Sequence, residues 1–316
     1  MFYIQLDSTD PFYNMAFEAW CLKNLPQGET YFYLWRNAPS VIIGENQNAY
    51  AEVNLEYLRE NGVNLARRTT GGGAVYHDLN NLNYSFIGET VSAEPMVQAL
   101  RSLGVKAELS GRNDIFVDGH KVSGYARRLE GNRELVHGTL LYDVDLTVLQ
   151  NALDTPVSKM KSKGIKSVRS VVANLKYYLP QLKTVLEFRE ALCTYFAAEL
   201  REYALNECQL AEIQALRDGK FATPEWNLGR SPQASFVRKA HFPCGTIEAE
   251  LIIDEGRIAQ IAFAGDFLGS RSVTELSDKL TGLPYDRPSL EAFLAGIGVE
   301  KYFDVMKLQE FVDFLF

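Results

Sequence analysis

Three consecutive glycines, Gly71, Gly72 and Gly73, stand between two short apolar runs. Inside a helix or strand each would cost roughly 0.5–1 kcal/mol relative to alanine. The backbone there must therefore turn sharply or lie directly against a ligand. Arg67 and Arg68 precede the glycines, and Ala74-Val75-Tyr76-His77-Asp78 follows them. Positive charge, bare amides and a His-Asp pair within a dozen residues suit a cradle for an anion. A glycine-rich hairpin turn is the simpler alternative, and this stretch alone leaves both open. No Gly-Lys-Ser/Thr follows, so it is not a P-loop, and it lacks the Gly-x-Gly-x-x-Gly dinucleotide fingerprint.

A chain of 316 residues can bury one large core and a smaller second one. Its 47% hydrophobic and 23% charged content is that of an ordinary globular protein. A net charge of −8 argues against a general nucleic-acid coat, so no nucleic-acid partner is expected. Cys21, Cys193, Cys208 and Cys244 form no Cys-x-x-Cys and no zinc spacing, which points to a reducing compartment without a structural metal. The opening residues show no basic region followed by an apolar run, and no apolar stretch approaches the ~18–20 residues of a membrane span. The expectation is a soluble, cytoplasmic protein with no membrane partner.

Periodicity predicts strands over 2–6, 31–35, 41–43, 64–68, 74–76 and 82–87, with helices over 11–25, 52–61 and 95–103. Asp118-Gly119 between apolar runs is a strong hairpin signal, and a second hairpin is expected to turn near 130–132 into a strand over 135–144. Helices are expected over 185–200 and 207–216. Residues 221–243, with Pro224, Gly229, Pro232 and Pro243, look like a domain linker. A hairpin over 246–263 and two or three short helices follow. The fold class is α/β (α+β): a catalytic-sized domain over 1–238 and a small α/β domain over 239–316.

Lys121 lies just past the Asp118-Gly119 turn, beside Val122-Ser123-Gly124. A strand lysine among small residues suits stabilising charge on a phosphate or carboxylate. Upstream, Gly111-Arg112-Asn113-Asp114 supplies a turn, a cation, an amide and a carboxylate; Asp114 would orient Lys121, hold a metal or cap the turn. His137-Gly138-Thr139 opens a neighbouring strand, with no Ser-His-Asp arrangement in view. Residues 155–186 contain seven lysines and arginines and no acid. That excess suits a loop closing over phosphates or a solvated basic face.

The stretches 67–78, 111–114, 121–126, 137–141 and 163–169 resemble, in order and spacing, the motifs of the lipoate–protein ligase family. The resemblance spans 2–179, and 225–229 is similar to the family's linker. It implies a biotin/lipoate ligase-like mixed-sheet catalytic domain, shared with biotin ligases and related to class II aminoacyl-tRNA synthetases, with a small C-terminal domain. It also implies a two-step reaction using ATP and Mg²⁺. Lipoate is first activated to lipoyl-AMP; the lipoyl group then passes to one lysine of a lipoyl domain. The implied acceptors are the E2 subunits of 2-oxoacid dehydrogenases and the glycine cleavage H protein.

By the same resemblance Lys121 is the catalytic residue, bridging the α-phosphate and the acyl carbonyl. Arg68, Gly72, Gly73, Ala74, Val75, Tyr76, His77 and Asn81 would meet the adenylate or acyl chain. Ser123, Gly124, Ala126, Arg128, His137, Gly138 and Thr139 would complete the pocket, Lys163 and Val168 would lie in the adenylate-binding loop, and Asp114 would give metal-linked support. The family's His-Asp-x-Gly-Asn reads His77-Asp78-Leu79-Asn80-Asn81 here, which puts local geometry at issue, although Asn tolerates left-handed backbone well. Two competitors remain. A cysteine-dependent octanoyl- or lipoyltransferase needs a thiol nucleophile, yet no cysteine lies between Cys21 and Cys193. A non-catalytic lipoate-binding paralogue would keep the pocket without the activity.

Overall fold

A computed structural model describes residues 1–110, 113–153, 161–162, 172–231 and 234–316. In chain order the strands are β1 (Phe2–Tyr3), β2 (Tyr31–Trp35), β3 (Ser40–Ile43), β4 (Asn64–Arg67), β5 (Val75–His77), β6 (Asn81–Gly88), β7 (Ala107–Ser110) and β8 (Asp114–Val117). There follow β9 (His120–Glu130), β10 (Arg133–Leu141), β11 (Lys161–Ser162), β12 (Arg201–Glu202), β13 (Ala234–Phe242), β14 (Gly245–Asp254) and β15 (Arg257–Gly265). They divide between two compact units.

The first unit comprises Met1–Glu45, Tyr57–Leu153 and Lys166–Thr223. Its main sheet has eight strands in the order β12-β1-β2-β6-β10-β9-β8-β7. β1 runs parallel to β12 and β2, and the remaining pairs are antiparallel. Because strand side chains alternate between faces, the register sorts the residues. Phe32, Leu34, Leu82, Tyr84, Phe86, Val136 and Leu140 lie in the core with helices Glu94–Ser102 and Val185–Phe196. The opposite face carries Asn81, Asn83 and Ser85 of β6, paired with Leu141, Thr139 and His137 of β10. The loop joining β4 to β5 of a three-stranded sheet, β4-β3-β5, and the helix Pro11–Asn24 supply polar partners to this second face, Thr70 and Glu18. Asp10 caps that helix, accepting from the amides of Phe12 and Tyr13.

The hairpin at 118–119 forms with both residues at positive φ, 48° at Asp118 and 79° at Gly119, as a two-residue reversal of this hand requires. The predicted helix over 52–61 is instead two short helices, Ala49–Glu52 and Leu55–Glu60, separated at Val53 and Asn54. The edge strand β7 was not anticipated; three of its four residues are exposed, so it has no alternating pattern.

The second unit comprises Asn46–Glu56, Asp154–Ile165 and Pro224–Phe316. Its sheet order is β11-β13-β14-β15. Strand β13 falls inside 221–243, the stretch read as linker. Its core-facing alternation, Phe236, Arg238, Ala240, Phe242, is masked by Arg238, whose guanidinium sits over the Phe236 ring at 5.2 Å and donates to the Phe316 carbonyl. Helices Val273–Leu280, Arg287–Ile297 and Leu308–Leu315 complete a core that includes Tyr50. Among the described residues no helix is long and apolar enough to cross a membrane.

Candidate active site

The three glycines form no regular structure and are held from outside. Arg68, buried, donates from Nε to Thr70 Oγ1 (3.0 Å), from Nη1 to the Ile42 carbonyl (3.0 Å) and from Nη2 to the carbonyls of Gly71 (2.7 Å) and Gly73 (2.8 Å). Burial lowers the Arg68 pKa to about 10, which leaves it charged near neutrality. Arg128 of β9 donates to the Thr69 carbonyl and pairs with Glu45 at 2.9 Å, while the Glu45 amide donates to the Thr70 carbonyl at 2.8 Å. Gly72 has φ 98°, and a Cβ there would come within 2.9 Å of Arg68 Nη2. A Cβ on Gly44 would overlap the carbonyl oxygen of Gly72. The loop therefore depends on a fourth glycine, far back in sequence.

Lys121 is the second residue of β9, just after the hairpin turn. A register shift between Ile115 and Phe116 puts its ammonium over the Cα of Gly124, where a Cβ would lie 3.1 Å from Nζ. Asp114 Oδ1 is 2.7 Å from that ammonium, and both side chains are about one-fifth exposed (22% and 18%). Asp114 thus orients Lys121, the first of the roles its position allowed. Gly124, in turn, donates its amide to Thr139 Oγ1 at 3.2 Å. Val172 makes a parallel bridge to Lys121, and Ala173 donates to the Lys121 carbonyl at 3.0 Å.

Between these two features lies a buried polar layer. His137 Nδ1 is 2.6 Å from Glu18 Oε2, and its Nε2 is 2.8 Å from Thr70 Oγ1. Ser85 donates to Glu18 Oε1 at 2.7 Å and accepts from Trp35 Nε1 at 2.9 Å. Nearby, Asn37 Nδ2 approaches His77 Nδ1 at 3.0 Å, and Asn37 is itself fixed by Asn14 at 2.8 Å. An amide nitrogen donates, so His77 Nδ1 accepts and its Nε2 carries the proton. Burial first, then the charge of Arg68, pushes the His77 pKa down to about 3, so the ring is neutral. Among the described residues, His77 Nε2, Asn81 Oδ1 and Asn83 Nδ2 are buried and meet no hydrogen-bond partner. Such orphaned polar atoms are costly unless a ligand or water meets them.

Of the residues singled out from the sequence, Lys121, Asp114, Gly124, Ala126, Arg128, His137 and Thr139 share this polar face with Asn81, by the pairing of β8, β9, β10 and β6. Gly72, Gly73 and Ala74 lie in the loop, and Val75, Tyr76 and His77 form β5 against β3. Burial, Asp78 and Asp145 raise the Tyr76 hydroxyl to about 12. Ser123 and Gly138 fall on the core-side face beside Tyr84; a Cβ on Gly138 would be 2.5 Å from the Tyr84 hydroxyl. Lys163 and Val168 lie outside the described residues. Glu18, Gly44, Thr70 and Ser85 were missed. Glu18 left a signal: it is the one carboxylate in the buried run Met15-Ala16-Phe17-Glu18 of its helix.

Among the described residues no group of three or more His, Cys, Asp or Glu side chains forms a metal cluster. The four cysteines are unpaired with one another, and none lies on the polar face. A glycine cradle, a braced lysine and a ligand-ready polar layer are the equipment of an enzyme that activates an anionic substrate.

The comparisons with known proteins name the family. A model described as the lipoyl protein ligase A/B catalytic domain matches residues 10–197, and one described as the bacterial lipoate protein ligase C-terminus matches 231–315. The chain is 41% identical over 315 residues to lipoate–protein ligase 1 of Staphylococcus aureus, covering 96% of each chain. It is 39% identical over 321 residues to lipoate-protein ligase LplJ of Bacillus subtilis, covering 97% of each. Among solved structures, a lipoate-protein ligase A bound with ATP aligns with TM-score 0.62 at 30% identity, over 72% of this chain and 98% of that one. A Thermoplasma acidophilum protein of this type with bound lipoic acid gives TM-score 0.62 at 29% identity, over 72% and 98%. A bipartite lipoate protein ligase from the same organism, described with its E2 lipoyl domain, gives 0.62 at 28%, over 72% and 96%. The chain belongs to the lipoate–protein ligase family. It is an enzyme of the ligase class, and its mixed-sheet α/β fold is the one the motifs implied.

Proposed function

We propose that this chain carries out both halves of protein lipoylation in a reducing cytoplasm, using ATP and free lipoate as substrates. The lipoate carboxylate oxygen attacks the α-phosphorus of ATP, and pyrophosphate leaves with its bond to that phosphorus broken. The ε-amine of an acceptor lysine then attacks the acyl carbon, losing a proton and expelling AMP. The observation that carries this reading is the Lys121 ammonium, fixed by Asp114 over bare Gly124 backbone on the same sheet face as His137 and Thr139.

An ammonium held there balances charge on the α-phosphate in the first step and on the acyl oxygen in the second. One such preorganised donor is worth about 2.7–4 kcal/mol of barrier. Bare amides of Gly72 and Gly73 approach the ligand, while Arg68 and Arg128 keep the loop in shape. The neutral His77 offers its Nε2 proton to the acyl end, and the enclosed polar layer keeps water from the reactive anhydride. Mg²⁺ bound through substrate phosphates needs only one or two protein carboxylates; Asp114 fits that requirement, and the ion would neutralise phosphate charge. The proposed acceptors are lipoyl domains of E2 subunits and the glycine cleavage H protein, the first in keeping with the archaeal relative described with an E2 lipoyl domain.

The test is lipoate-dependent exchange of labelled pyrophosphate into ATP, followed by transfer to a purified lipoyl domain. Exchange without transfer would remove the second half of the proposal; no exchange would remove the first.

A further inference from the structure

Hydrogen-bond bookkeeping in the buried layer assigns a role to Glu18. Trp35 Nε1 is only a donor, so Ser85 Oγ accepts from it and sends its own proton to Glu18 Oε1. From the other end, Thr70 Oγ1 accepts from Arg68 Nε, a donor only, and keeps its own proton to place. Glu18 Oε2 only accepts, so the neutral His137 ring carries its proton on Nδ1, 2.6 Å away, and its Nε2 accepts the proton of Thr70. Both ends of the chain converge on one carboxylate, and every group in it finds a partner. Glu18 is 2% exposed, His137 6%, Thr70 1% and Arg68 5%, so water does not substitute for any link.

We infer that Glu18 is a positioning residue for the glycine loop, acting through His137 and Thr70. The carboxylate selects the His137 tautomer that accepts from Thr70; Thr70 in turn anchors Arg68, whose guanidinium shapes the backbone at Gly71 and Gly73. A carboxylate on the Pro11–Asn24 helix thereby sets the geometry of loop peptides at Gly71 and Gly73, far along the sequence. The inference rests on the proposed function only where it touches catalysis.

The experiment reads the loop directly and the reaction separately. Hydrogen exchange over residues 68–75 is compared in the full chain for wild type, Thr70→Val, Thr70→Ser, Glu18→Gln, Glu18→Ala and the Glu18→Ala/Thr70→Val double variant, with unfolding midpoints measured alongside. Glu18→Ala and Thr70→Val should each speed exchange in this loop, and the double variant should exceed the faster single by no more than about twofold, because the two act through one route. Thr70→Ser and Glu18→Gln, which keep an acceptor and a hydroxyl in place, should stay near wild type. In the pyrophosphate assay the two disruptive variants should lower kcat about 10–100-fold with KM for lipoate little changed, as loss of loop placement does. Independent, multiplicative effects on loop exchange, or a Thr70→Val loop indistinguishable from wild type, would overturn the relay. Because loop exchange needs no turnover, an inactive wild type would count against the proposed function and leave the relay to be decided by the first measurement.

Discussion

Gly44 and Gly72 meet through bare backbone: the carbonyl oxygen of Gly72 occupies the space a side chain on Gly44 would need. Overpacking of this kind costs about 1–3 kcal/mol where neighbours cannot shift. Here the neighbour is the active-site loop. Gly44→Ala should therefore lower pyrophosphate exchange at least tenfold while the thermal midpoint falls only modestly. A variant with wild-type exchange would show that the loop does not need this contact.

Lys121 and Asp114 separate chemistry from placement. Lys121→Ala should abolish adenylation, with a loss of at least about 100-fold, while the chain still folds because the partly exposed pair contributes little to stability. Asp114→Asn keeps the lysine and loses its anchor, so a partial loss is expected. Steady-state exchange rates check the order: Asp114→Asn as inactive as Lys121→Ala would show that Asp114 does more than anchor the lysine, as a Mg²⁺ ligand would.

His77 makes the folded state sensitive to acid. Its pKa lies at about 3 in the folded chain, against an ordinary value of 6.5, mainly through burial. Between those values the unfolded chain binds a proton that the folded chain refuses, so stability is complete above 6.5 and is lost as pH falls toward 3. The slope reaches about 1.4 kcal/mol per pH unit at most. Denaturant unfolding at about pH 7 and about pH 4.5 should show a larger acid loss for wild type than for His77→Gln. Equal losses would mean that His77 takes up no extra proton on unfolding.

Asn174 clasps Val144 with both ends of its amide, accepting from the Val144 nitrogen at 3.1 Å and donating to its carbonyl at 3.0 Å. Asn174→Ala leaves two buried backbone groups unpaired and should cost about 1–3 kcal/mol by denaturant unfolding. Asn174→Asp retains the acceptor and should cost less. The reverse order would show that Val144 finds other partners.

Local signals made much of this legible. The Asp118-Gly119 turn, the helix Glu207–Leu216 and the strand Tyr31–Trp35 each carry their own chemistry in adjacent residues. The strand Ala234–Phe242 does not, because prolines flank it and Arg238 interrupts its apolar alternation. The loop and Lys121 announced themselves through composition. Glu18 and Gly44 did not, since their meaning lies in contacts with residues 119 and 28 positions away, His137 and Gly72. No run of neighbours encodes such a meeting.

The smaller unit draws Tyr50 and Leu55 into its core from a segment bounded by β3 and β4. Tyr50 packs on Tyr285, with ring centroids 5.3 Å apart, and Arg287 reaches Glu56 at 3.8 Å. Neither unit is thus a cassette that a single cut in the gene would release. Ending the reading frame after Thr223 would strand those apolar side chains without their mates, and supplying residues 224–316 as a separate polypeptide would have to heal the break by docking onto a peptide still embedded in the larger piece.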